Sequence, residues 1–353
     1  MWLIISIIVL SFLIFFHESG HFLVARFFGV KVEVFSIGFG KKIWTKTYNG
    51  TEYAISAIPL GGYVKMKGQD DLNPNEVSSD DDSYNTKAPW KKICILFAGS
   101  GANILLAFIL YIFIGLYGIT TILPTIGKTI DNSPAYKAGL MQGDTILKIN
   151  GNEIKTWRDL SRNISNQTQE INIEYKRGEK ILQTAITPEI KDSKNIFGED
   201  IKQGFIGIAA KGDIARIKYG IDEIIPYAVN ETIFAAKLIV LSLQKIIIGI
   251  LPIEQLGGPI AVVQAIAQAQ EIGFIALLGL SALISINLGI LNLLPIPALD
   301  GGHIVFTLYE WITKRQLNEN IAYKLTICGW IILFGLMVLG LYNDIGRIAI
   351  KNG

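Results

Sequence analysis

The sequence predicts a polytopic α-helical membrane protein of about four transmembrane helices, with a membrane-associated β-hairpin region and one α+β domain outside the bilayer. Three observations carry this. Apolar stretches at 1–28, 93–118, 273–294 and 326–343 approach or exceed the roughly 20 helical residues that cross about 30 Å of hydrocarbon. Half of the 353 residues are hydrophobic and 18% are charged, too apolar a balance for an ordinary soluble enzyme. Residues 122–212, by contrast, alternate like short strands between turn dipeptides, as an aqueous domain does. A net charge of +2 with no basic block argues against nucleic acid as a partner.

Residues 1–28 form the first span. Met1 to Phe16 carries no charge, and the stretch lacks the basic start and A-x-A site of a cleaved secretory signal, so it reads as a retained helix. His17-Glu18-Ser19-Gly20-His21, an HExxH pentapeptide, interrupts it. Positions i and i+4 share a helix face, so His17 and His21 could hold one zinc ion while Glu18 addresses its water. Ionisable side chains inside a span cost about 2.5–3.5 kcal/mol each on insertion scales, a cost normally retained for function. The plain alternative is a chance HExxH at a helix end.

Residues 29–92 read as a cytoplasmic-side region of short hairpins, on the alternation in Val32-Glu33-Val34-Phe35 and Thr51-Glu52-Tyr53-Ala54-Ile55. Gln69 to Lys87, with Asp80-Asp81-Asp82, reads as a solvated mobile loop rather than a metal site. The second span covers 93–118. Cys94 and Cys328 lie in apolar stretches without metal-site spacing and read as inert. In the aqueous domain, Pro134 and Gly139 bracket a short helix, Gly143-Asp144 and Asn150-Gly151 are turns around a strand, and Ile171 to Tyr175 alternates as another. Residues 219–271 read as amphipathic or interfacial helices, because Leu238 to Leu251 is short, carries Lys245 and stops at Pro252. The third span covers 273–294 and the fourth 326–343, with a loop at 295–325 between them.

Basic residues set the orientation. Arg26, Lys31, Lys41, Lys42, Lys46, Lys87, Lys91 and Lys92 flank the loop between the first two spans and place it in the cytoplasm, as Lys314, Arg315 and Lys324 place 295–325. A helix starting near Trp2 then carries His17 about 22 Å in, roughly 8 Å from the inner edge. A catalytic zinc takes three protein ligands and keeps one open position, so a further ligand is sought at that depth. Asp300 is the candidate, in Asn292-Leu293-Leu294-Pro295-Ile296-Pro297-Ala298-Leu299-Asp300-Gly301-Gly302-His303, and His303 is its alternative. Pro295 and Pro297 forbid a continuous helix there, and non-helical backbone at membrane depth needs a protein or watery lining. The plain reading of Leu299 to Gly302 is a membrane-exit turn with glycines at positive φ. Asn103, Asn287 and Asn292 either bond between helices or line a water and substrate path.

HExxH in the first span with NxxPxPxLDGG after a later one resembles the site-2 protease family of intramembrane zinc proteases. Phe35 to Gly40, Ile58 to Met66, Leu256-Gly257-Gly258-Pro259-Ile260 and Leu341-Tyr342-Asn343-Asp344 resemble its bacterial sigma-E-regulating branch. The resemblance implies that His17, His21 and Asp300 bind one zinc per chain and that Glu18 is the catalytic base. It favours Asp300 over His303 and places Asn103, Asn287, Asn292, Pro295 and Pro297 in the active-site region. Ala98-Gly99-Ser100-Gly101-Ala102-Asn103 departs from the family at Ser100, where Pro is usual. Ser133 to Gly151 resembles a PDZ domain, in which Gly204, Phe205, Ile206, Gly207 and Ile208 would form the peptide-binding loop. The implied protein sits in a bacterial inner membrane with this domain in the periplasm and its active site near the cytoplasmic face. It would cut single-span membrane proteins, in regulated intramembrane proteolysis of an anti-sigma factor or of signal-peptide remnants. One alternative is a membrane-tethered PDZ binding protein with an inactive metal site; another is a serine protease using Ser100.

Overall fold

The computed structural model describes residues 2–69, 78–315 and 317–352, which form two compact units: residues 1–114 with 225–353, and residues 115–224. Part of the expected mobile loop, 70–77, lies outside the described residues. The first unit contains α1 (Trp2–Phe27), the strands β1 (Val32–Tyr48) and β2 (Thr51–Met66), and α2 (Pro89–Tyr117), whose last turn passes into the second unit. The second unit holds β3 (Ile119–Ile122), β4 (Ile126–Thr129), α3 (Pro134–Lys137), β5 (Thr145–Ile149), β6 (Asn152–Glu153) and α4 (Trp157–Ser165). It continues with β7 (Ile171–Arg177), β8 (Lys180–Ile186), β9 (Glu189–Lys194), β10 (Asp200–Phe205), β11 (Ile208–Ala210) and β12 (Ile214–Ile217). The chain then returns through α5 (Ile221–Ile247), α6 (Pro259–Ile272), α7 (Phe274–Asn292), α8 (Asp300–Thr313) and α9 (Glu319–Asn352).

Long apolar runs with no interior proline make α1, α2 and α7. Gly29, at φ +71°, ends α1, and the Val30 N–H returns to the Ala25 carbonyl at 2.8 Å. Contacts between the helices fix their directions. His21 meets Ile95 while His17 meets Asn103, so α2 runs antiparallel to α1. Ser285 donates to the Asn103 carbonyl at 2.8 Å, and a Cβ on Gly289 would lie 2.9 Å from the Ser100 oxygen, so α7 runs antiparallel to α2. Thus α1 and α7 point the same way. The buried stripe of α7, Ser281, Ala282, Ser285, Ile286 and Gly289, is made largely of small residues that let helix backbones approach.

The region expected as short hairpins is one sheet folded on itself. Residues 34–37 of β1 pair on one edge with 62–65 of β2 and on the other with 52–55. The bend falls at Gly38, whose φ of +92° suits glycine. The sheet packs on α1 through Phe35, whose ring meets Phe15 and Phe22 edge-on. Lys67 anchors the acidic loop by ion pairs of 2.7 Å to Asp80 and 2.6 Å to Asp82, so this part of the loop is stapled to the sheet.

Between α2 and α7 the fold differs from the sequence reading. Ile221 to Ile247 is a single 27-residue helix running through Pro226, which removes only one hydrogen bond near its start. By length and composition, α1, α2, α5, α7 and residues 320–350 of α9 could each cross a membrane, five among the described residues. The sequence reading began this apolar segment at Leu238 and took it as short because it carries Lys245 and stops at Pro252, whereas the helix starts at Ile221.

In the second unit, the sheet order is β6-β5-β7-β8, and the alternating Ile171, Ile173 and Tyr175 of β7 bury against Ile126, Leu140, Ile146, Ile149 and Leu160. Thr156 and Asp159 form a capping box that starts α4. Asp144, fully buried, accepts two bonds from Arg177 at 2.7 Å. A separate pair joins β3 to β12, and the Tyr219 N–H reaches the Gly115 carbonyl at 3.2 Å, so the unit's two chain ends lie side by side.

Candidate metal centre

The one-turn spacing on α1 brings His17 and His21 together, with Nε2 atoms 3.2 Å apart. Two ring nitrogens at this distance either share a proton or turn their lone pairs on one cation. The third atom comes from the first residue of α8: Asp300 Oδ2 lies 3.3 Å from Nε2 of His17 and 3.3 Å from Nε2 of His21. Zinc bonds of about 2.0–2.1 Å in a tetrahedron put ligand atoms about 3.3 Å apart. The triangle therefore matches three vertices of a zinc polyhedron and leaves the fourth for water. Asp300 Oδ2 is buried and makes no hydrogen bond of ordinary geometry among the described residues, as suits an oxygen placed for a cation. His303, the alternative ligand, stands outside this group and packs its ring on Phe306.

The ring orientations are set from α2. His21 Nδ1 meets the Ile95 carbonyl at 2.8 Å, which places its proton there and frees Nε2 as the ligand atom. Asn103 Nδ2 lies 3.3 Å from His17 Nδ1, and Asn292 Nδ2 lies 3.3 Å from His17 Nε2. Asn287 is half-buried and, five residues from Asn292, is turned about 140° round α7, so the two do not share a face. Glu18 is buried at 8% exposure, and the sheet presses on it: a Cβ on Gly62 would stand 2.9 Å from its Cγ.

The turn from Leu293 to Leu299 is non-helical, as the prolines require, with Leu299 N–H bonded to Ile296 O at 2.8 Å. Gly301 and Gly302 are helical residues of α8, which corrects the turn reading in which they supply positive φ. Their lack of a side chain serves close approach instead, since a Cβ on either would collide with the backbone of Leu293 or Ile296. Sequence reasoning also missed Gly99. A Cβ there would overlap His21 Nε2 and stand 2.8 Å from His17 Cε1. Its signal was a glycine four residues before Asn103 in an apolar helix, the mark of close packing. Ser100 Oγ is buried without a hydrogen-bond partner among the described residues, so no base there activates it as a nucleophile. In the second unit, Gly204 to Ile208 joins β10 to β11, with the Ile206 carbonyl accepting from Ala135 N–H at 2.8 Å.

Residues 5–336 match the profile of peptidase family M50. The chain belongs to this family. Among its relatives, "Putative zinc metalloprotease Cj1068" of Campylobacter jejuni is 46% identical over 97% of this chain and 93% of that protein. A "Putative zinc metalloprotease" of Helicobacter pylori strain J99 is 41% identical over 98% of this chain and 99% of that protein. A solved PDZ domain of an SdrC-like protein from Listeria monocytogenes is 27% identical, covering 24% of this chain and 84% of that one, with a TM-score of 0.19. The site-2 protease resemblance thus holds over nearly the whole chain. M50 membership, the apolar helices and the ligand triangle together support a multi-pass membrane metalloprotease that uses zinc.

Proposed function

We propose that this M50 protein is an intramembrane zinc endopeptidase that cuts transmembrane segments of other membrane proteins. The observation that carries the reading is the triangle of His17, His21 and Asp300, joined by a buried Glu18 one residue along α1. Held by His17, His21 and Asp300, zinc would supply Lewis acidity to a peptide carbonyl and would lower the pKa of a water molecule toward neutral. Glu18 takes a proton from the attacking water on its carboxylate as the water oxygen bonds to the carbonyl carbon, and delivers it to the departing amine as the C–N bond breaks. A helical substrate hides its carbonyls in hydrogen bonds, so a stretch must unwind first. Asn292 and the proline-broken turn offer polar groups to that extended form.

The topology we favour has four spans, α1, α2, α7 and α9. Because α1 and α7 run the same way and α2 opposes them, the chain between α2 and α7 crosses an even number of times. A crossing by α5 would need a second to return, and α6, with 14 residues, is about 21 Å long, short of the hydrocarbon thickness of about 30 Å. Helix α5 therefore lies at the outer interface. The basic loops put 29–92 in the cytoplasm of a bacterial cell and the PDZ-like unit in the periplasm, where it would filter substrates. The substrates would be single-span proteins, such as an anti-sigma factor or signal-peptide remnants.

The deciding experiment uses purified protein and a labelled transmembrane peptide. Glu18→Gln should keep zinc and lose cleavage, whereas His17→Ala, His21→Ala and Asp300→Ala should lose both. Full cleavage by a zinc-free preparation or by His17→Ala would end this reading. A Glu18→Gln protein that cuts normally would favour another base.

A further inference from the structure

We infer that Asn103 is a positioning residue for the metal, accepting a hydrogen bond from Nδ1–H of His17 through its side-chain oxygen. The inference rests on the zinc reading of the triangle and adds to it. Ile95, Gly99 and Asn103 fall at i, i+4 and i+8, one stripe of α2 facing α1. Each serves the histidines differently. The Ile95 carbonyl holds Nδ1 of His21, Gly99 makes room for both rings, and Asn103 faces Nδ1 of His17.

Asn103 is fully buried, and its backbone is fixed by the Ser285 hydroxyl at 2.8 Å. Its Nδ2 lies 3.3 Å from His17 Nδ1, while its Oδ1 is buried with no hydrogen-bond partner among the described residues. Once Nε2 of His17 is given to a metal, the neutral ring carries its proton on Nδ1. An amide N–H facing that N–H is repulsive. Turning the amide by 180°, which scarcely changes its shape, sets Oδ1 opposite Nδ1–H and gives the orphan oxygen its donor. Both histidines are then held from α2 by an oxygen acceptor. Such a partner locks the tautomer and raises the basicity of the ligand nitrogen.

Two variants separate this from mere packing. Asn103→Leu removes the acceptor at similar size, and Asn103→Asp keeps an acceptor but lacks the amide donor. Zinc affinity is measured by chelator competition, with cobalt-substituted spectra as a check on ligand geometry. Asn103→Leu should weaken zinc about ten- to hundred-fold, and Asn103→Asp should bind at least as tightly as the native protein. Nitrogen-15 labelling of the three histidines provides a reading on the native protein: zinc-loaded His17 should carry its proton on Nδ1. Native affinity in Asn103→Leu, equal weakness in Asn103→Asp, or an unprotonated Nδ1 of His17 would overturn the inference while the zinc reading stands. A native protein that binds no zinc would end both.

Discussion

Asp344 Oδ1 accepts a hydrogen bond from the backbone N–H of Gly258 at 3.0 Å, tying the far end of α9 to the start of α6. Its other oxygen accepts from Ala261 N–H at 3.0 Å. Helix α6 has no side-chain cap of its own, and this carboxylate from 83 residues away satisfies two first-turn donors and meets the positive end of the helix dipole. Next to it, Asn343 donates to the carbonyls of Ile253 and Leu256 at 3.0 and 3.2 Å. The Gly-Gly-Pro and Asn-Asp motifs are two halves of one joint. Asp344→Ala should lower stability by about 1.5–3 kcal/mol, the range for hydrogen bonds to a charged group, and speed amide exchange in α6. Asp344→Asn should recover part of this. Thermal unfolding in detergent with exchange mass spectrometry measures both, and native protection of α6 in Asp344→Ala would show the joint to be dispensable.

Gly99→Ala should remove zinc without altering a ligand, because the added methyl meets both rings. Overpacking of about 1–3 kcal/mol corresponds to a loss of roughly fivefold to a hundredfold in metal affinity. Gly101→Ala is the matched control, since its Cβ would find only the Phe97 ring, at 3.3 Å. Zinc content of the two purified proteins decides the matter; equal content would mean that α1 and α2 can part at no cost.

The proposed four-span topology makes a forecast at four positions. With Cys94 and Cys328 replaced by serine, single cysteines at Ser79 and at Lys314 should react from the cytoplasm, and those at Asn166 and Gly249 from the outside. A cysteine at Gly249 that labels from the cytoplasm would make α5 a full crossing.

Lys67→Met should release the acidic loop, seen as faster exchange of the Ser83 and Tyr84 amides. Asp80 and Asp82 hold the Lys67 ammonium and push its pKa up to about 12, and Lys67 in turn holds the Asp80 carboxyl below its usual range. A raised lysine pKa gives stabilisation present below the unfolded value and lost as pH climbs through about 12. A lowered carboxylate pKa gives stabilisation present above the unfolded value and lost on acidification. The staple should thus hold across the neutral range and loosen only at the extremes; loosening between pH 6 and 9 would contradict it.

The chemistry was legible in the sequence because it sits in short local patterns: HExxH needs only helical spacing, and the two prolines before Asp300 announce their own break. The roughly 3.3 Å triangle was anticipated in membership but not in shape, since it depends on where α8 begins relative to α1. Glycines were the main blind spot. Gly62, Gly99 and Gly301 act by leaving space for atoms remote in the chain, which no local pattern records. Helix α5 was misjudged in length because polar residues on a long helix resemble a boundary when read in a line. The doubled pairing of residues 34–37 was likewise hidden, because alternation gives a strand but not its neighbours.

The ligand triangle also sets an order of events during biogenesis. His17 and His21 leave the ribosome long before Asp300, which belongs to a much later helix. At about 5–20 residues per second, that interval is on the order of tens of seconds. Throughout it the nascent chain displays two histidines and a glutamate without the third corner of the triangle, so a chain that stops short of α8 lacks the complete metal centre. Synthesis of α8 is the step that completes the triangle.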